Sequence, residues 1–271
     1  MDIKRINALY FSPTGGTEDI AHFVAKELGQ RLGLKPRFIN ITKPEARQRD
    51  YRFGADELVV VAVPVYAGRV PNKLLPDLKT CLIGCGTPAV PVCVFGNRSP
   101  DEAPRELALL LESNGFRVAG IAAFACRHSV SDKIGTNRPD KADEQQMAAF
   151  AGQVADKLTA PGLFPMLEMD HGEIGPYYTP LKEDGTPAKF LKAKPLTDWE
   201  RCIHCGLCAE VCPMGSIDAE TVEAVGVCIK CQACVRQCPV RAKYFEDEDF
   251  LSHVAMLEQS YTQRAENTVL I

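Results

Sequence analysis

Eight of the twelve cysteines in the chain fall into two copies of one spacing, C-x2-C-x2-C-x3-C-P. The first copy ends at Cys212-Pro213 and the second at Cys238-Pro239. This run binds cubane [4Fe–4S] clusters, and where two runs occur together the fourth cysteine of each ligates the other cluster. The predicted ligand sets are therefore crossed. They are Cys202, Cys205, Cys208 and Cys238 for cluster 1, and Cys228, Cys231, Cys234 and Cys212 for cluster 2.

Other uses of these cysteines fit the spacing less well. A zinc site takes four ligands, usually as two separated pairs. A disulfide framework needs an oxidising compartment, and residues 1–11 lack the long apolar stretch of a signal peptide. Among the remaining cysteines, Cys93 and Cys126 lie in apolar runs and are expected to be small core residues. Cys81 and Cys85 are predicted to lie in loops.

The gross composition limits the class of protein. A chain of 271 residues, 46% of them hydrophobic, has room for one large domain and a small one. The formal net charge of −4 provides no basic footprint, so nucleic acid is not an expected partner. The longest apolar runs, residues 58–65 and 89–95, are too short to span a membrane. We expect a cytoplasmic protein in a reducing compartment.

The first 160 residues alternate short apolar runs with longer amphipathic ones. The predicted strands are residues 6–11, 37–41, 58–63, 89–95 and 116–124, and the predicted helices are residues 17–32, 72–80, 103–113 and 141–158. Asp140 is the expected N-cap of the last helix, with Asp143 three residues further on. The alternation predicts a doubly wound, five-stranded parallel sheet with right-handed crossovers. Ligands of such sheets bind in the loops at the carboxyl ends of the strands.

Residues 12–17, Ser-Pro-Thr-Gly-Gly-Thr, lie between the first predicted strand and the first predicted helix. They offer three hydroxyls, two glycines and backbone N–H groups at a helix N-terminus, which together favour a phosphate site. The segment is neither a P-loop nor a dinucleotide fingerprint, because it lacks G-K-[ST] and G-x-G-x-x-G. A turn with a helix cap remains the plain alternative.

This segment resembles the T-x-T-G-x-T loop of flavodoxins, which holds the FMN phosphate without a charged side chain. Residues 64–71 and 96–99 follow the third and fourth predicted strands and resemble the loops that flank the isoalloxazine ring. Together with the cysteine runs, the chain resembles the flavodoxin–ferredoxin fusion family. The resemblance implies a flavodoxin-like α/β domain followed by a small α+β bacterial-type 2[4Fe–4S] ferredoxin domain.

The resemblance also implies the flavin-binding residues. The phosphate would be bound by Ser12, Thr14, Gly15, Gly16 and Thr17. The ring would be contacted by Pro64, Val65, Tyr66, Ala67 and Gly68, with Tyr66 as the stacking candidate, and by Gly96, Asn97 and Arg98 at its pyrimidine edge. Residues 99–101 lack the aromatic that flavodoxins often carry there. One face of the flavin is therefore expected to be open, or covered by the linker or the ferredoxin domain.

The sequence does not assign a role to two further loop residues. His128 and Arg138 follow the fifth predicted strand. His128 is a candidate proton donor near the flavin, although a structural histidine is the simpler interpretation.

The composition changes after the first domain. Six prolines and several aromatic residues lie between positions 159 and 200, so this linker is expected to pack against the first domain.

The C-terminal tail has apolar residues at helical spacing, namely Leu251, Val254, Leu257 and Tyr261. The predicted divisions are a flavodoxin-like FMN-binding domain at 1–160, a packed linker at 161–197, a ferredoxin domain at 198–246 and a helical tail at 247–271.

The predicted function is electron transfer between two [4Fe–4S] clusters and FMN, which couples one- and two-electron carriers. The expected partner is a redox protein or a small-molecule donor or acceptor, and a homodimer is left open. Two alternatives remain. The first is a flavoenzyme that reduces a small molecule at an open flavin face, and the second is a redox subunit or sensor that docks to a larger complex. No catalytic residue is predicted.

Overall fold

The computed structural model describes residues 2–271. Its strands are β1 (Arg5–Tyr10), β2 (Arg37–Asn40), β3 (Tyr51–Phe53), β4 (Glu57–Pro64), β5 (Leu82–Gly84), β6 (Thr87–Phe95), β7 (Phe116–Val118), β8 (Ile121–Ala125), β9 (Leu196–Thr197), β10 (Lys243–Tyr244) and β11 (Thr268–Leu270). Its α-helices are α1 (Gly16–Leu32), α2 (Leu75–Cys81), α3 (Ala103–Ser113), α4 (Lys141–Thr159), α5 (Leu207–Glu210), α6 (Ala233–Arg236) and α7 (Glu248–Ser260), and a 3-10 helix spans Pro44–Gln48.

The main sheet contains five parallel strands in the order β2-β1-β4-β6-β8. Counted along the chain, these strands have the order 2-1-3-4-5, which is the order of flavodoxin-like doubly wound sheets. The predicted fold class is therefore confirmed. The short strands β3 and β5 form a separate parallel pair beside this sheet.

Strand β4 shows why this sheet has two covered faces. Val59, Val61 and Val63 belong to the apolar cluster on one face, and the alternate residues 58, 60 and 62 belong to the cluster on the other face. All six residues are fully buried. A strand that packs helices on both sides needs an unbroken apolar run, as its sequence has.

The last part of the sheet differs from the prediction. The expected strand at 116–124 is two strands, β7 and β8, which both pair with β6. Gly120 lies between them, and an added Cβ there would stand 2.9 Å from Ile271 Cδ1 and 3.0 Å from Val154 Cγ2. The tail is also more than a helix, because β11 adds to the sheet antiparallel to β8. A glycine thus lets the end of the chain pack against the sheet edge.

Two local predictions have different outcomes. The N-cap of α4 is Asp140, whose side chain accepts from the backbone of Ala142 and Asp143, while the Asp143 carboxylate accepts from the backbone of Asp140. This capping box confirms the prediction for that helix. The prediction of a loop at Cys81 is wrong, because Cys81 is the last residue of α2 and is buried. Pro76 in the first turn of α2 favours a helix there.

The linker packs against the loop that follows β4. The backbone N–H of Tyr178 donates to the Ala67 carbonyl at 2.8 Å, and the Tyr177 hydroxyl donates to the Val70 carbonyl at 2.9 Å. Earlier in the linker, Phe164 is buried, and the Arg117 guanidinium lies 5.2 Å from the centroid of the Phe164 ring. The linker is therefore ordered over the carboxyl edge of the sheet.

The C-terminal cysteine runs have related backbones. Cys202 and Cys228 are 26 positions apart, and pairs at the same offset share left-handed φ angles, such as 73° at Gly206 and 67° at Gln232. These two residues are the N-caps of the short helices α5 and α6. The internal sequence repeat is thus also a repeat of structure, joined by the antiparallel pair β9–β10.

The cysteine-rich region is fixed against the loops of the sheet. The Arg47 guanidinium, which is buried, donates to the Pro213 carbonyl at 2.7 Å. The Arg236 Nε donates to the Ser129 carbonyl at 2.6 Å, and the Gln237 amide donates to the Pro13 carbonyl at 3.0 Å. These contacts hold both cysteine runs at the carboxyl edge of the sheet. Within residues 2–271 there is no helix of the length and apolarity needed to cross a membrane.

Residues 261–267, which we call the tail strap, connect α7 to β11 and bind the buried side chain of Asn97. The Asn97 amide donates to the carbonyls of Tyr261 and Gln263 at 2.8 and 2.7 Å. Its oxygen accepts from the Ala265 backbone at 3.1 Å and from Arg138 at 3.0 Å. One side chain therefore satisfies four polar groups between the strap and the sheet.

We expect Asn97→Ala to release the tail strap and to lower the free energy of unfolding by about 2 to 4 kcal/mol, because its buried partners are left unpaired. Hydrogen exchange should rise at residues 261–267. Asn114→Ala is the control, since the Asn114 amide bonds to the carbonyls of Leu78 and Leu82, away from the strap. Equal exchange of the strap in both variants would contradict this account.

Candidate functional site

A cavity of about 490 Å³ opens at the carboxyl edge of the sheet. It is lined by the loops that follow β1, β4, β6 and β8, and its volume is within the usual range for organic ligands. Ten of the thirteen residues assigned to the flavin line it, namely Thr14, Gly16, Thr17, Pro64, Val65, Tyr66, Ala67, Gly68, Gly96 and Arg98. The structure therefore gathers most of this set around one space.

The loop after β1 presents the N-terminus of α1 to this cavity. Gly15 is the N-cap and has no side chain to cap the helix, and the Ser12 hydroxyl binds the Glu18 N–H, so the N–H groups of Gly16 and Thr17 are left to bind an anion. Gly16 lies against Cys126, because an added Cβ would be 2.6 Å from the Cys126 sulfur. Ser12 and Gly15 instead border a wider cleft beside the cavity, and the Ser12 hydroxyl accepts from the Glu18 backbone at 3.0 Å.

The loop after β4 forms a tight turn from Tyr66 to Arg69. The two residues exchange backbone hydrogen bonds of 2.9 and 3.1 Å, and the central residues Ala67 and Gly68 have φ angles of 48° and 76°. A Cβ on Gly68 would overlap the carboxylate of Asp101. The turn therefore requires glycine at position 68 for its backbone conformation and for space.

The loop after β6 contributes in a different way from the prediction. Gly96 and Arg98 line the cavity, and Arg98 pairs with Asp101 and lies 4.2 Å from the Tyr178 ring centroid. The Asn97 side chain does not face the cavity as the prediction requires, because its amide donates to carbonyls of the tail strap. A contact between residues more than 160 positions apart has no signature in the sequence.

Arg138 belongs to the same buried network as Asn97. It pairs with Asp143 at 2.6 Å, and both side chains are almost completely buried. Burial alone would raise the pKa of Asp143, but hydrogen bonds from Arg138, from the Asp140 backbone N–H and from the Asn267 amide lower it overall. Arg138 therefore fixes the tail strap and does not line the cavity.

Cys126 is a further correction. It was expected in the core, but it is half-buried and lines the cavity beside the loop that follows β1. Burial raises the pKa of its thiol. The residue directly follows β8, which ends at Ala125, one residue beyond the predicted strand, so Cys126 begins the loop that lines the cavity.

The remaining wall of the cavity comes from the linker, which the sequence offers as one possible cover, and from α7, which the sequence does not connect with the cavity. The linker contributes Tyr178 and Phe190, and α7 contributes Phe250 and His253. Tyr178 brings an aromatic ring to the side on which residues 99–101 have none. The missing aromatic is the only signal in the sequence that pointed to a covering segment from elsewhere in the chain.

The cysteines of the two runs surround two separate cavities. One is lined by Cys202, Cys205, Cys208 and Cys238, and the other by Cys212, Cys228, Cys231 and Cys234. These are the crossed sets expected from the spacing. Among residues 2–271, no group of three or more His, Cys, Asp or Glu side chains is arranged to hold a single metal ion. Four thiols around a cavity suit a cube, in which each thiolate binds its own iron.

Backbone N–H groups point at several of these sulfurs. Lys230 donates to Cys228 Sγ at 3.4 Å, Ser216 to Cys212 Sγ at 3.3 Å and Ala242 to Cys238 Sγ at 3.1 Å. Hydrogen bonds of this kind stabilise thiolate charge and help to set cluster potentials. The donors thus favour the charged form of the ligands.

The large cavity shares a wall with the second cysteine cavity. Val227, Cys228 and Ile229 line both spaces. Tyr66 also lines the large cavity near these cysteines. Burial, and then the nearby Cys231 and Cys228, raise the pKa of the Tyr66 hydroxyl well above its usual range. Any group bound in the large cavity is therefore next to the set that contains Cys212.

Comparison with known protein families finds two matches in the cysteine-rich region. Residues 195–218 match a family described as 4Fe-4S binding domain, and residues 226–241 match a second family of the same description. The C-terminal part is therefore a 4Fe–4S binding domain. No curated protein matches the sequence.

Several solved structures resemble the N-terminal part of the chain. A flavodoxin from Streptococcus pneumoniae TIGR4 is 20% identical, covers 57% of this chain and 100% of its own, and has a TM-score of 0.40. An archaeal flavodoxin is 13% identical, with 58% and 100% coverage and a TM-score of 0.38. Rubredoxin:oxygen oxidoreductase from Desulfovibrio gigas is 17% identical, with 56% and 35% coverage and a TM-score of 0.38. The fold of this part is assigned from its strand order.

Proposed function

We propose that this chain, in which a flavodoxin-like domain is joined to a 4Fe–4S ferredoxin domain, transfers electrons between FMN and two [4Fe–4S] clusters. When bound, FMN exchanges one or two electrons and a cubane exchanges one, so the pair couples two kinds of carrier. The observation that supports the proposal best is the wall of Val227, Cys228 and Ile229 that the two cavities share.

The residues of the large cavity suit FMN. The phosphate would be held by the Gly16 and Thr17 N–H groups in the first turn of α1 and by the hydroxyls of Thr14 and Thr17. The Tyr66–Arg69 turn would lie along the ring, and it is fixed from behind by Glu106, which accepts from Arg69 Nε at 2.8 Å. A rigid turn keeps the geometry of the site constant.

The cysteine cavities have different exposure, which suggests an order for the electrons. Cys231 and Cys234 of the set beside the large cavity are buried, whereas Cys205 of the other set is exposed. Near Cys205, Trp199 stacks on His204 at 5.5 Å and is 51% exposed. We propose that a redox partner protein approaches cluster 1 at this surface and that cluster 2 lies between cluster 1 and the flavin.

The test is anaerobic purification with iron, sulfide and flavin quantified on one sample. About eight irons and about one FMN per chain are expected from the ligand count and the fold. Stopped-flow mixing of the reduced protein with protein and small-molecule acceptors then measures which acceptor reoxidises it. A sample with full iron and no flavin would contradict the proposal.

A further inference from the structure

One part of the large cavity is lined mostly by segments outside the sheet domain. We call this part the distal subsite and define it by His128, Tyr178, Phe190, Phe250 and His253, which all line the cavity. Phe250 and His253 come from α7, and Tyr178 and Phe190 come from the linker. The residues assigned to the flavin lie on other segments of the cavity lining.

We propose that the distal subsite binds a second small molecule, a flat aromatic ring with a hydroxyl group, and that His128 and His253 bind this hydroxyl. The proposal rests on the proposed FMN site, since the second ligand would lie beside the flavin. It goes beyond electron transfer, because it assigns the chain a ligand of its own.

The two histidines offer opposite hydrogen-bonding atoms. His128 Nδ1 accepts from the Val130 backbone at 3.2 Å, so the neutral ring carries its proton on Nε2. His253 Nδ1 lies 2.8 Å from the Leu181 carbonyl, so this nitrogen carries the proton and Nε2 has a lone pair. In the part of the chain that the structure describes, neither Nε2 has a hydrogen-bond partner. A hydroxyl can accept from one ring and donate to the other.

Burial favours the neutral form of both rings. Burial, and then the nearby His253, Arg236 and Arg98, lower the pKa of His128 to about 4. Burial also lowers the pKa of His253. The donor and acceptor roles of the two rings are therefore those of neutral imidazoles.

The walls of the distal subsite are flat and apolar. Phe190 stacks on the His253 ring with a centroid distance of 5.4 Å and an angle of 28°. Phe250 meets the edge of Phe190 at 5.4 Å, and the Tyr178 ring lies beneath Arg98. Parallel and edge-on ring contacts of this kind favour an aromatic ligand.

Two of the cations near this subsite are paired with carboxylates. Arg98 pairs with Asp101, and Arg127 pairs with Asp132 at 3.0 Å. Lys230, which also lines the cavity, donates to the Leu191 carbonyl at 2.6 Å, and a carbonyl is a neutral acceptor. An uncharged phenol needs none of these charges, because the two imidazoles bind its hydroxyl.

The experiment uses the full-length protein, purified anaerobically, with iron and flavin quantified before each titration. Calorimetry and the visible flavin spectrum are followed as 4-methylphenol is added, with 4-methylanisole as the matched ligand that has no hydroxyl proton. We expect saturable binding of 4-methylphenol that perturbs the flavin spectrum. Binding of 4-methylanisole should be about tenfold weaker, because one hydrogen bond is lost and a buried acceptor is left unpaired.

The variants are His253→Phe, which keeps a ring against Phe190, and His128→Ala. Each should weaken 4-methylphenol about tenfold at unchanged flavin content. His171→Ala is the control, because His171 lies on the linker and contacts Glu112 outside the cavity.

The outcomes separate the two proposals. Absence of flavin from the purified protein contradicts the proposed function. Bound flavin with no saturable 4-methylphenol binding, or with binding unchanged in both variants, contradicts the second site. Loss of flavin in either histidine variant also overturns it, because the histidines would then bind the flavin itself.

Discussion

Cys212→Ser is expected to remove the cluster beside the flavin cavity, although Cys212 belongs to the first cysteine run. Cys212 lines the cavity formed by Cys228, Cys231 and Cys234, and a serine hydroxyl does not replace a thiolate ligand. Iron should fall from about eight to about four per chain. Flavin reduction by a one-electron donor should slow strongly, since the remaining cluster has no wall in common with the flavin cavity.

The control and the reverse variant make this test specific. Cys85→Ser should leave iron and flavin unchanged, because Cys85 is exposed and lines neither cysteine cavity. Cys238→Ser should remove the distant cluster, whose other ligands are in the first run. If Cys212→Ser instead abolished the cluster of Cys202, Cys205 and Cys208, the crossed assignment would be wrong.

Gly68→Ala is expected to weaken flavin binding by roughly tenfold to a hundredfold, because a Cβ must be placed at a φ of 76° and against Asp101. The turn would open and change the surface offered to the ring. The dissociation constant is measured by fluorescence as FMN is added to protein from which the flavin has been removed.

Gly33→Ala is the matched control for backbone strain. Gly33 has a φ of 68° at the end of α1, and an added Cβ would have no atom within 4 Å. We expect a loss of stability of about 1 kcal/mol with unchanged flavin affinity. An equal loss of affinity in both variants would show that strain alone, at any place in the domain, controls flavin binding.

Features carried by short sequence patterns could be predicted well. The crossed cysteine sets depend on ligand spacing within each run, and the two cavities group the cysteines in the same way. The five parallel strands depend on apolar runs, and the capping box of α4 depends on two carboxylates three positions apart. In each case the physical cause acts within a few residues, so the sequence contains it.

The covering of the cavity could not be predicted in this way. Nothing in the local sequence of Asn97 shows that its amide binds residues 261 and 263, or that Cys126 would lie against Gly16. These positions follow from where β8 stops and from where the tail strap returns to the sheet.

The sequence alone therefore determined the domain types and the candidate ligands of the clusters, because spacing and periodicity act locally. Only the tertiary structure decided that Tyr178, Phe190 and His253 complete the large cavity and that Val227 to Ile229 separate it from a cysteine cavity. These residues meet through contacts between segments about fifty or more positions apart in the chain. The sequence around one segment does not show which other segment it will contact. Packing of whole segments, rather than local preference, places them together.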